Sequence, residues 1–234
     1  DYPSHQAYIW QGGGWRLDLP SVKKEKETPN YVTVTVTLWG GTVATLNLTP
    51  KYKWIQVPCN DIQPPPGGWK PSGGQNMCWI KVVEYYHGEY HNGTHFYLIY
   101  NKSDPHLGGG DKNYYLWDKA GTLHRFNPDG ALIYVEDTHE NRITYNRQNG
   151  TLTSITDTIG RNITIAYNQQ GLIANITYQQ RTITYQYTKV PYQGDPWNTY
   201  KKWILHNVTD PAGRTTIYTY QNSPLIKKVT YITG

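Results

Sequence analysis

The sequence predicts an all-β protein made of consecutive antiparallel hairpins, and three observations carry that expectation. The first is composition: 22 Tyr and 9 Trp stand against 2 Phe and 1 Met in 234 residues. Hydrophobic residues make up only 37% and mean hydropathy is -0.70, yet this much ring surface is foreign to a disordered chain. The second is period-two alternation, with no stretch longer than a turn or two showing helical periodicity. The third is the regular return of Asn, Asp and Gly where strands must reverse.

The alternation is cleanest in residues 31–38 (YVTVTVTL), where Val32, Val34, Val36 and Leu38 share one face and Thr33, Thr35 and Thr37 the other. That is the pattern of a half-buried antiparallel strand. Gly40-Gly41 turns it, and residues 42–48 run back. Residues 79–90 and 94–100 form a second pair about Asn92-Gly93, a strong hairpin signal. The segment 107–113 (LGGGDKN) then divides a β-rich region, 1–110, from an array of hairpins, 111–234.

Within the first region, Cys59 and Cys78 bracket a loop rich in Gly and Pro. Such a loop has little means of holding itself, so the expectation is a disulfide, with a stabilisation of about 3 kcal/mol on the chain-entropy model.

Two turn cues alternate in the second region. One is an aromatic-Asn step followed by Gly: Asn127 with Gly130, Asn146 with Gly150, Asn168 with Gly171. The other is Asp-x-x-Gly: Asp118 with Gly121, Asp157 with Gly160, Asp210 with Gly213. The side chain of Asp or Asn bonds its own backbone, and Gly accepts the positive φ that ends the turn. The aromatic positions 126, 145, 167 and 187 are 19, 22 and 20 residues apart. Residues 208–220 (VTDPAGRTTIYTY) align without a gap on 155–167 (ITDTIGRNITIAY), and a loop at 189–202 interrupts the array. Each unit is one hairpin, which is marginal alone in water and gains stability by pairing with the next.

These units, YNRQNGTLTSITDTIGRNITIAYNQQGLIANITY above all, resemble the YD repeats of the RHS (rearrangement hotspot) family. That family includes bacterial polymorphic-toxin carriers, Tc toxin cocoon components and animal teneurins. Its pattern is Tyr-Asp-x-x-Gly-Arg-Leu, a strand, Asp-Pro-x-Gly, and a strand ending in Tyr. Asn146 and Asn168 stand here in place of Asp, while residues 208–214 match the second half almost letter for letter. Residues 13–20 (GGWRLDLP) are similar to a segment found ahead of such arrays. The specific match covers about 120 residues, from 113 to 231. The resemblance implies a curved or spiralling sheet forming a shell or scaffold, not a catalyst. Its partners would be the remainder of a longer shell or further copies.

Several other functions are disfavoured. The net charge of +5 is dispersed, and the densest run, 23–27 (KKEKE), half cancels itself, so nucleic acid is not an expected partner. No apolar run approaches the roughly 20 residues of a membrane span. His87, His91 and His95 would share a face on a helix. On a hairpin closed tightly at Asn92-Gly93, however, His95 faces away from the other two, which excludes a three-His site and leaves only a two-His surface site open; no metal and no cofactor is expected. No nucleophile, base and stabiliser come together in the sequence, so no enzymatic activity is expected. Trp69 and Trp197 lie in loops and are the candidate contacts for cell-surface glycans, the alternative adhesion function.

Seven sequons begin at Asn47, Asn92, Asn101, Asn149, Asn162, Asn175 and Asn207. With the cysteine pair and a first residue other than Met, they point to an extracellular or cell-surface location. Finally, residues 227–232 (KKVTYI) present a strand edge, the basis for expecting self-assembly into a filament or wall.

Overall fold

A computed structural model describes residues 9–10, 16–28, 30–58, 77–92, 95–101, 111–191, 201–220 and 226–233. The all-β expectation holds: β1 (Ile9–Trp10) and β2 (Arg16–Leu17) form a short ribbon, and sixteen further strands form one antiparallel sheet ordered as the chain runs. Contacts divide the chain into two compact units, one spanning Pro20–Leu132 and one combining Asp1–Leu19 with Ile133–Gly234. The division therefore falls after Leu132, beyond the Gly-rich segment at 107–113 that composition singles out.

The 20–132 unit contains β3 (Ser21–Glu27), β4 (Val32–Thr37), β5 (Val43–Pro58), β6 (Met77–Tyr90), β7 (Phe96–Tyr100), β8 (Tyr114–Asp118) and β9 (Leu123–Phe126). Its core follows directly from the alternation. Val32, Val34 and Val36 are fully buried, while Thr33 and Thr35 reach across the outer face to Asn47 and Thr45. Leu48, Phe96, Leu98, Tyr114, Leu116 and Phe126 complete the inner layer. Gly88 leaves room for Leu48, whose Cδ2 would lie 2.9 Å from an added β-carbon.

This unit also returns on itself. The Val22 amide donates to the Gly130 carbonyl at 3.0 Å, and Ser21 bridges Ala131, so the first strand meets the turn that follows the last. Beyond Val22, β3 is exposed and charged, with Lys24 paired to Glu27 at 2.8 Å. Charges on such a strand discourage edge-to-edge aggregation.

β5 and β6 outrun their neighbours. They pair from Thr49↔His87 to Pro58↔Met77, whereas β4 pairs with β5 only as far as Leu48 and β7 with β6 only from Tyr86. The overhang is a two-stranded ribbon whose outer residues include Trp54 and Trp79, 61% and 62% exposed.

The repeat unit carries β10 (Leu132–Glu136) from its second residue, then β11 (Arg142–Gln148), β12 (Thr151–Asp157), β13 (Asn162–Tyr167) and β14 (Ile173–Tyr178). After them come β15 (Arg181–Pro191), β16 (Lys201–Thr209), β17 (Thr215–Tyr220) and β18 (Ile226–Ile232). Strands β15 and β16 continue into the segment read as an insertion, pairing out to Pro191↔Lys201. Pairing alternates in length. β13–β14 and β17–β18 pair over five and six residues, whereas β12–β13 and β16–β17 pair over three. The hairpins are long internally and joined by short ladders.

Candidate functional site

Two constructions carry the chemistry of this protein: the turns and tyrosines of the repeats, and the outer face of the 20–132 unit.

The turns come first because everything else hangs from them. In each, a carboxylate or amide oxygen accepts backbone amides two and four residues ahead, as Asp157 does from Ile159 and Arg161 at 3.1 and 2.8 Å. Asp118, Asn168 and Asp210 repeat the pattern, and Asn127 accepts from Ala131. Gly121, Gly130, Gly160, Gly171 and Gly213 supply the positive φ, from 73° to 84°. In two turns an arginine closes the loop onto its own aspartate, Arg161 on Asp157 and Arg214 on Asp210. The Arg214 hydrogen bond, aided by the Arg214 and Ala212 amides, holds the Asp210 carboxyl below the usual range.

One turn assignment needs correcting, and one turn was missed. Asn146 opens no turn: it lies inside β11 and donates across the strand to Ser154 and Thr156, both at 3.1 Å. The reversal is made by Asn149 and Gly150, both at positive φ (50° and 81°), a two-residue type I′ loop. The bulge falls between Asn146 and Arg147, so Arg147 opposite Leu152 takes the place of Tyr167 opposite Ile173, and Gln148 rather than Asn146 stands at the position of Asn168. The sequence also hides one turn. Asp137 accepts from His139 and Asn141, with Glu140 at φ 65° in the glycine position. The shared Asp-Thr of 137–138 and 157–158 was its only signal.

The tyrosines close the short ladders. Tyr167, Tyr187 and Tyr220 donate their hydroxyls to the carbonyls of Leu152, Ile173 and Leu205, at 2.7, 2.7 and 2.6 Å. Each donor sits just after a bulge. Each acceptor belongs to a fully or almost fully buried aliphatic residue on the preceding strand, where the inter-hairpin ladder has already run out. A buried carbonyl needs a donor, and the phenol supplies it. Burial raises the Tyr187 phenol and pushes that of Tyr167 up to about 12.

On the outer face of the other unit, Tyr85, His87, Tyr97, Trp117 and Tyr115 form a row of ring contacts across β6, β7 and β8. Asp111 anchors one end, accepting from Asn101, Asn113, Tyr115 and Arg125. Partial burial opposes its charge, but these donors hold its carboxyl below the usual range. Sequence reading missed this hub because its partners are scattered over 25 residues of chain, from Asn101 to Arg125.

The histidine expectation is also corrected in its geometry. Tyr90 pairs with Phe96, not with His95, so the loop is one residue longer and His91 and His95 lie on the same face. Their rings are 4.5 Å apart, and Glu89 lies 3.0 Å from His91. His87 shares that face but sits four residues back, about 13 Å along a strand.

Among the sequons, Asn47, Asn92, Asn149 and Asn162 are exposed, whereas Asn101, Asn175 and Asn207 are half-buried. Trp69, Trp197 and Cys59 lie outside the described residues. Cys78 is in β6, opposite Val57 and thus across from the strand end that leads to Cys59.

No family model and no curated protein matches the chain. An open groove in the repeat unit is lined by Glu136, Glu140, Arg142, Thr144, Asp157 and Thr158. Within it Arg142 pairs with Glu136, and the Thr158 hydroxyl bonds the Arg142 backbone. Among the described residues, no helix is long and apolar enough to cross a membrane.

Proposed function

We propose that this protein is a non-enzymatic structural segment of the RHS/YD-repeat type, extracellular, whose sheet serves as a wall or scaffold. The observation that carries the reading is the recurring tether of Tyr167, Tyr187 and Tyr220 to the preceding hairpin. It spends three of the recurring tyrosines on joining hairpins, which is the task of a wall rather than a catalyst. The turn carboxylates are engaged by their own backbone, and Arg142 of the groove by Glu136, a use of polar groups that fits a structural segment.

The outermost strand, β18, pairs on one side only among the described residues. It exposes Ile226, Val229, Tyr231 and Ile232. Such an edge favours addition of a further strand, from a longer chain or from another copy. Light scattering with negative-stain imaging over a concentration series tests this. Growing linear or sheet-like particles, reduced by Val229→Lys, support the wall; a monomer at every concentration removes self-assembly.

A second reading is adhesion to cell-surface glycans. The exposed Trp54 and Trp79 favour it: they lie diagonally on one face of the β5–β6 ribbon, Trp54 opposite Lys81 and Trp79 opposite Gln56. A glycan array with wild type and Trp79→Ala decides it, since binding indifferent to the change dismisses the ribbon as the contact.

A further inference from the structure

The geometry points to a binding site for one divalent transition-metal ion of the zinc class, formed by Glu89, His91 and His95 at the outer end of the β6–β7 hairpin. Glu89 and His91 are two apart on one strand and so project from the same face. The register runs from Tyr86↔Tyr100 to Tyr90↔Phe96, and one further step sets His91 directly opposite His95. Glu89 is in the ladder, and His91 and His95 stand one residue beyond its last pair, so the hairpin brings all three side chains to the same end. Their nearest ligand atoms all lie within 4.8 Å of one another.

Two ligands of one zinc ion sit roughly 3–4 Å apart, because each metal–ligand bond is ~2.0–2.1 Å. The Glu89 Oε2–His91 Nε2 separation of 3.0 Å already falls at the short end of that window. Closing the rest asks only for side-chain rotation, and all three residues are exposed. Two imidazoles and one carboxylate select zinc, nickel or copper over the oxygen-seeking calcium and magnesium. Three protein ligands leave a fourth position for water. A bound ion joins β6 to β7 across the residues 92–94 and so clamps the hairpin end, where strand pairing stops at Tyr90↔Phe96. His87 stays outside the site because of its distance along the strand.

The test uses the whole chain, stripped with a chelator and titrated calorimetrically with zinc chloride. A parallel cobalt(II) titration reads coordination from the visible absorption. Wild type is expected to bind one ion, with a cobalt spectrum of low-coordinate nitrogen and oxygen ligation. His95→Ala and Glu89→Gln should each weaken binding at least roughly tenfold, since even outer-shell changes cost that much. His139→Ala, at a surface histidine in the Asp137 turn, should leave it unchanged. Failure to bind zinc below millimolar concentration overturns the proposal. So does equal affinity and stoichiometry in a protein carrying both His91→Ala and His95→Ala.

Discussion

The Gly130 carbonyl accepts the Val22 amide at 3.0 Å, and a β-carbon added to Gly130 would stand 1.5 Å from the Val22 carbonyl oxygen. This contact, beside the Ser21–Ala131 bridge, brings the first strand of the 20–132 unit against its last turn. Gly130→Ala therefore forces both a left-handed alanine and a backbone displacement. A loss of about 2–5 kcal/mol is expected in chemical denaturation. Gly171→Ala, at a similar φ but with no heavy atom within 4 Å among the described residues, should cost only about 1–2 kcal/mol. Equal losses would mean that the contact with β3 contributes nothing.

Glu140 occupies a left-handed position that five sister turns give to glycine. Glu140→Gly relieves that conformation at some cost in chain entropy. The net gain should be about 1 kcal/mol, read as a higher denaturation midpoint. A loss of stability would show that the glutamate side chain contributes more than its backbone costs.

Each tyrosine tether should contribute about 1 kcal/mol, the net worth of one hydrogen bond. Tyr187→Phe keeps the ring and removes only the donor to Ile173, so it isolates that contribution. The same phenols govern behaviour in alkali. The folded pKa of Tyr167 lies above the unfolded value, so its stabilisation is complete below about pH 10 and is lost as pH rises through about 12. Tyrosinate absorbance should therefore show a late class of phenols that titrates together with unfolding. Tyr167→Phe should shrink that class.

His124 is buried and lies opposite Leu116, with Nδ1 lacking a hydrogen-bond partner among the described residues. Burial depresses its pKa, against the pull of Asp118 at 3.7 Å. The folded value is therefore below the unfolded one near 6.5. Stability is present above about pH 6.5 and falls as acid charges the ring. Thermal unfolding at pH 7 and pH 5 should show this loss in wild type, and His124→Leu should largely abolish it.

The β5–β6 ribbon extends past both neighbouring strands, a state that two strands alone sustain poorly. A Cys59–Cys78 disulfide at its far end is the expected support, with about 3 kcal/mol lost on reduction. Alkylation without reductant, read by intact mass, should label neither cysteine; labelling of both would refute the cross-link.

The sequence alone determined what depends on neighbours in the chain. Strand type, the buried face of Val32, Val34 and Val36, and the Asp-x-x-Gly and Asn-x-x-Gly reversals all follow from the side-chain period of two and from local hydrogen bonding. Register was another matter. One bulge moved Asn146 out of its expected turn, and one extra loop residue brought His91 and His95 together. A slip of one residue exchanges the faces of a strand, and its energy lies in packing against partners distant in sequence. Tertiary structure alone decided the closure of Val22 on Gly130 and the meeting of five residues at Asp111. It also aimed the tyrosines at carbonyls 14 or 15 residues away. Those contacts form only where neighbouring hairpins are already in place.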